Sequence, residues 1–225
     1  MRKRSSKPNG ESSHTGNGCR PEFSGHAKTL AGLVAEYEEC QKRFEKGWNP
    51  LRSMIEGYRG LNNLETAVKS AALAEDLVGK SFRKEGDGKV RRHGHQRRIK
   101  RSVLETARRV LASKSNIEKL KSCRSFEEIF ELVARCCDQI PGTGPLYVYD
   151  TALRIGAFLK KLPEQVHLQA GALLGARALG LVIKNSSLPK SAFPKPIQRL
   201  APQQIEDFLC IYKAQLSEAK SKIEN

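Results

Sequence analysis

Apolar positions recur at helical spacing along most of the chain. Between His26 and about Lys46, Leu30, Leu33, Val34, Tyr37 and Phe44 fall on one face. Gly47-Trp48-Asn49-Pro50 ends that helix. A shorter run from Leu51 to Tyr58 precedes a helix from about Asn63 to Leu77, with Leu64, Val68, Ala71 and Ala72 turned inward. Its alanine content suggests close packing against the first helix. Val103, Leu104, Ala107, Val110 and Leu111 make the next helix, with Ser102 as its cap. Phe126, Ile129, Phe130, Val133, Cys136 and Cys137 make another, opened by a capping box of Ser125 and Glu128. Ala152, Ile155 and Leu159 continue the pattern. Ala170, Gly171, Ala172, Gly175, Ala176 and Ala178 form a small-residue stripe, which reads as a helix lying backbone-close to the one carrying Ala152. A last helix opens at Ala201-Pro202 and carries Ile205, Phe208, Leu209, Tyr212 and Leu216 on one face. Alternating Val, Ile and Thr runs are missing, and Leu146–Tyr149 is the one extended candidate. The pattern predicts an all-α, multi-helix globular protein of about six to nine helices.

Between the helices of Phe126 and Ala152 lies Ile140-Pro141-Gly142-Thr143-Gly144-Pro145. Gly142 and Gly144 can take positive φ and present bare backbone. Pro145 suits the first turn of a following helix, where its missing N–H costs nothing. A tight hairpin beside a helix N-terminus attracts a phosphate. The hydrophobic-Pro-Gly-x-Gly pattern between two helices resembles the helix-hairpin-helix motif of DNA-binding and DNA-repair proteins. That resemblance covers about residues 126–160. It implies that the hairpin backbone, at Gly142, Thr143 and Gly144, grips a phosphate of duplex DNA, with a monovalent cation bound at the hairpin. The run Tyr149-Asp150-Thr151-Ala152-Leu153-Arg154-Ile155 looks like the segment of helix-hairpin-helix DNA glycosylases that holds their catalytic Asp. Here only Pro145 to Tyr149 separate hairpin from Asp150, no Lys follows Gly144, and no four-cysteine cluster pattern follows. Asp150 also stands where an N-cap would for the helix of Ala152. Arg154 could reach the hairpin phosphate or pair with Asp150 at i,i+4.

Charge sharpens this picture. The chain of 225 residues carries a net +16. Residues 80–121 hold fifteen Lys or Arg against Glu85, Asp87, Glu105 and Glu118, so +11 of the total sits in under a fifth of the chain. Arg91, Arg92, Arg97, Arg98, Lys100 and Arg101 are the candidate phosphate contacts within it. A solvated connector is the competing reading of the same run. Residues 1–25, nearly without apolar positions, read as a disordered basic tail. Residues 26–79 then form a helical N-terminal region, 80–101 a basic linker, and 102–225 a helical domain containing the hairpin. Trp48 is the only tryptophan, a core plug or a base-stacking ring.

No run of 18 apolar residues exists, so no membrane partner is expected, and a cytoplasmic location is. Six cysteines without C-x-x-C spacing suit reduced thiols rather than a disulfide frame or zinc site. His93-x-His95 offers two ligand nitrogens, but no third ligand lies near it in sequence, so no metal is expected there. Apart from the hairpin cation, no cofactor is expected. These features favour a nucleic-acid-binding protein that grips duplex DNA without reading its sequence, and no enzymatic activity. Two alternatives stay open: a diverged glycosylase-like repair enzyme using Asp150, and a helical interaction protein for an acidic partner.

Overall fold

The computed structural model describes residues 29–42, 50–78, 81, 82, 84, 86 and 88–221. The expected tail of residues 1–25, Phe44, Trp48, Lys80 and Arg83 lie outside the described residues. Among the described residues, nine helices account for most of the regular structure: α1 (Leu30–Lys42), α2 (Pro50–Arg59), α3 (Leu64–Ala72), α4 (Arg101–Leu111), α5 (Lys114–Ser122), α6 (Phe126–Cys137), α7 (Pro145–Leu159), α8 (Ala170–Ala178) and α9 (Pro202–Ser221). Two antiparallel strand pairs accompany them. β1 (Leu77–Val78) pairs with β2 (Ser81–Phe82), and β3 (Gln165–His167) with β4 (Ser187–Pro189). The molecule is mostly helical, and no helix among the described residues is long and apolar enough to cross a membrane.

Helix ends follow local chemistry. Asn63 caps α3 by accepting from the Thr66 N–H at 2.8 Å, and Ser113 caps α5 by accepting from Asn116. Ser125 caps α6 by accepting from the Glu128 N–H at 3.2 Å. The Glu128 carboxylate accepts from the N–H of Arg124, one residue before the position a capping box uses. α3 stops at Ala72 rather than running on to Leu77, because Ala74 turns left-handed at φ 55° and sends Leu77 into β1. Ser102, expected as the cap of α4, lies inside it; Lys100 is the N-cap, and no side chain bonds that end.

Among the described residues, the buried apolar side chains form two clusters. One is built on α2, α3, α4, α6 and α7, with α5 closing one end through Ile117 and Leu120. The other joins α1 to the C-terminal part of the chain: Leu33, Val34 and Tyr37 pack with Val166, Ala172, Ile197, Phe208 and Tyr212. So α1 does not serve as the neighbour of α3. The alanines of α3 are instead covered within the first cluster, where Tyr147 of α7 donates to the Ala72 carbonyl at 2.7 Å. The small-residue stripe of α8 lies on α9, not α7; a Cβ at Gly175 would strike the Leu209 backbone carbonyl, and one at Gly171 the Cys210 thiol.

α7 runs through the middle of the first cluster. Nearly every side chain from Tyr147 to Ala157 is buried, so the helix is covered almost all round, not along one face. Leu146–Tyr149, expected as extended, is its first turn: Pro145 fixes φ for a helix start, and Gly144 is the N-cap. Asp150 is therefore a residue of the helix body and not its cap.

Candidate functional site

Residues 138–144 turn the chain from α6 into α7. Ile140 donates its N–H to the Cys137 carbonyl at 2.9 Å, and Thr143 donates to that of Ile140 at 3.2 Å. The Thr143 hydroxyl lies 2.6 Å from the Ile140 carbonyl and 2.9 Å from that of Cys137, so this side chain closes the turn from within. Gly142 is left-handed, at φ 96°. Gly144 has an ordinary φ of −86° and open space where a Cβ would be. A Cβ on Gly142 would meet Val103 Cγ2 at 3.4 Å. Gly142 therefore lies close to the first turn of α4.

The turn at Gly142 thus brings the starts of α4 and α7 into one neighbourhood, through Val103. Neither has a capping side chain, and neither has an acidic residue in its first turn. Their first N–H groups have no acceptor within the helix and carry its positive pole. Arg97, Arg98 and Lys100, just before α4, and Arg101, its first residue, are exposed. Arg101 holds an exposed ion pair with Glu105 at 3.3 Å, an i,i+4 contact of little energetic weight.

The stretch before them is fastened to the fold. The Asp76 N–H donates to the Arg91 carbonyl at 2.9 Å, and the His93 N–H to the Ala74 carbonyl at 2.8 Å. Arg92 Nη1 donates to the Ile99 carbonyl at 2.8 Å, which closes the loop on itself. Arg91 stands 3.9 Å from Asp76. Arg91 and Arg92 are half-buried and engaged in holding the loop, unlike Arg97 and Arg98.

Beneath the loop lies a polar cluster inside the protein. The buried Gln96 donates Nε2 to Asp150 Oδ2 at 2.8 Å. Arg154 Nη2 stands 3.6 Å from the same oxygen, and His95 Nδ1 stands 3.7 Å from it. Arg154 is 1% exposed, with Nε and Nη1 lacking a hydrogen-bond partner. It takes the i,i+4 pairing with Asp150 and does not reach the surface where a phosphate at the hairpin would sit. From α9 come Glu206 and Asp207, the latter accepting from the Tyr37 hydroxyl at 2.9 Å.

Burial alone would raise the Asp150 pKa, but the His95 imidazole and the Arg154 guanidinium beside it bring the carboxyl down to about 2. The same carboxylate raises His95. His93 is pushed down to about 3 by burial and by Arg154, so it is neutral at ordinary pH. Burial raises Asp207 to about 6, and burial with the charges of Asp207 and Asp150 holds Glu206 well above the usual carboxylate range.

His93, His95 and Asp150 offer ligand atoms within 4.8 Å of one another. Sequence spacing supplied no third partner for the two histidines; the fold brings Asp150 to them from α7. Gln96 carried no signal of its role. Glu206 and Asp207 had a faint one, since they interrupt the apolar run Ile205, Phe208, Leu209. Comparison of the chain with protein-family models, with curated proteins and with solved structures finds no match.

Proposed function

We propose that this protein binds duplex nucleic acid, DNA in the first instance, through phosphate contacts at the paired N-termini of α4 and α7. The observation that carries this reading is the closeness of Gly142 to Val103, whose side chain a Cβ on Gly142 would touch. It supports a common face for the glycine hairpin and the exposed Arg97, Arg98, Lys100 and Arg101, which stand just before and at the start of α4. A helix-hairpin-helix mode of binding asks for that neighbourhood: backbone N–H groups for one phosphate, and cations for those flanking it. Such contacts hold the duplex backbone and carry no base information. Asp150, engaged with Gln96 and Arg154, fits an anchoring role under the loop that carries these cations.

Titration of a fluorescent duplex across a range of salt tests the reading. Replacing Arg97, Arg98, Lys100 and Arg101 by Gln should flatten the log–log salt slope by about two to four units, at about 0.9 for each phosphate deprived of its cation. Binding to unrelated sequences should weaken equally. A slope untouched by the four substitutions would remove this face as the site.

A further inference from the structure

We propose that His93, His95 and Asp150 hold a divalent metal ion of borderline softness, Zn2+ being the probe of choice, which ties the basic loop to α7. This inference stands on its own geometry, whether or not the chain binds nucleic acid.

The separations argue for it. His95 Nδ1 and Asp150 Oδ2 are 3.7 Å apart, too far for a good hydrogen bond. With Zn–N and Zn–O bonds of about 2.0–2.2 Å, two donors on one tetrahedral ion stand roughly 3.3–3.5 Å apart. His93 brings a third donor into the same 4.8 Å group, so small side-chain adjustments close the triad. The rings of His93 and His95 meet edge to face with centroids 4.9 Å apart, which lets two nitrogens converge without stacking.

His93 Nδ1 is buried and has no hydrogen-bond partner, and a buried polar atom of that kind calls for a ligand. Histidine nitrogen and carboxylate oxygen are the donor set that suits zinc. His95 is 51% exposed at its side chain, which gives an ion a way in and leaves a coordination position toward solvent. A metal here would fix the loop two residues before Arg97 and Arg98.

The test uses the full chain, stripped with a chelator and titrated with Zn2+ by calorimetry, then with Co2+ while its visible absorption is recorded. The expected result is one ion per chain, with a tetrahedral or five-coordinate Co2+ spectrum. His95→Ala should weaken Zn2+ binding at least tenfold. Because that side chain is half exposed, the variant keeps its fold, which circular dichroism checks. His93→Ala should abolish the Co2+ spectrum, and should it fail to fold, His95→Ala decides alone. Less than one bound ion per chain in the parent, or Zn2+ affinity unchanged by His95→Ala, would overturn the proposal; the second result would place the metal elsewhere, at cysteines or other histidines.

Discussion

His167 shows how much one side chain can impose. It arrives on β3 and enters a box of rings from the first cluster: Phe126 at 5.3 Å between centroids, Phe130 at 4.9 Å and Tyr149 at 5.3 Å. Neither ring nitrogen has a hydrogen-bond partner, and burial lowers its pKa to about 4. The unfolded chain takes up this proton near the ordinary histidine value and the folded chain does not. Stability is therefore intact above about pH 6.5 and is lost as the pH falls toward about 4, by about 3 kcal/mol at full extent. His167→Phe should remove that share of the acid sensitivity in urea unfolding at about pH 4.5 and about pH 7. An equally steep pH dependence in the variant would mean that the box tolerates an imidazolium. The two hairpin glycines differ just as sharply. Gly142→Ala forces a Cβ into a left-handed φ against Val103, and should cost about 1 kcal/mol or more. Gly144→Ala meets open space at an ordinary φ, and should be neutral to slightly stabilising. Thermal melts of the two single variants separate them; equal losses would contradict the turn geometry.

At the scale of elements, α8 and α9 are joined by glycine. Gly175→Ala drives a Cβ at the Leu209 carbonyl, which is backbone and cannot step aside, so the helices must part at a cost of about 1–3 kcal/mol. Gly171→Ala meets the Cys210 side chain, which can rotate, and should cost less. Denaturant unfolding gives the order, and a larger loss at Gly171 would refute it. That α8 packs close to something was legible in its small residues; which helix it meets was not, because a stripe names no partner. The last helix opens at Pro202 as its sequence suggests, since apolar spacing and a helix-starting proline agree there. α5 escaped because Ile117 and Leu120 alone give no periodicity, and its start is set by the Ser113 cap. Asp150 was misplaced by one rule overriding another: it has the chemistry of an N-cap, but Pro145 had already begun the helix. Half the candidate site was visible as local charge, in Arg97 to Arg101. The other half, Gln96 under the loop and Asp150 between the histidines, exists only through contacts between distant segments.

At the scale of the whole molecule, the chain crosses between its two apolar clusters. α1 belongs with α8 and α9 although α2 to α7 intervene in sequence. Arg199 reaches back to Glu38 at 2.9 Å, and Tyr37 reaches Asp207. The proposed phosphate face lies wholly on the first cluster, at the starts of α4 and α7. The His167 box joins the two clusters, and the α9 carboxylates lie within electrostatic reach of Asp150 on α7. This division predicts local rather than global opening. Tyr37 is fully buried among Phe208 and Tyr212, with ring centroids 5.7 Å and 6.5 Å away. Tyr37→Ala should cost about 3–5 kcal/mol, as removal of a buried aromatic does. Hydrogen exchange should then quicken in α8 and α9, while the amides of α6 and α7 keep their protection. Duplex affinity, measured where the second cluster is loosened but the first still protected, should stay close to that of the parent. Equal acceleration in α7 and α9 would show a single cooperative unit, and would tie the phosphate face to the packing of α1.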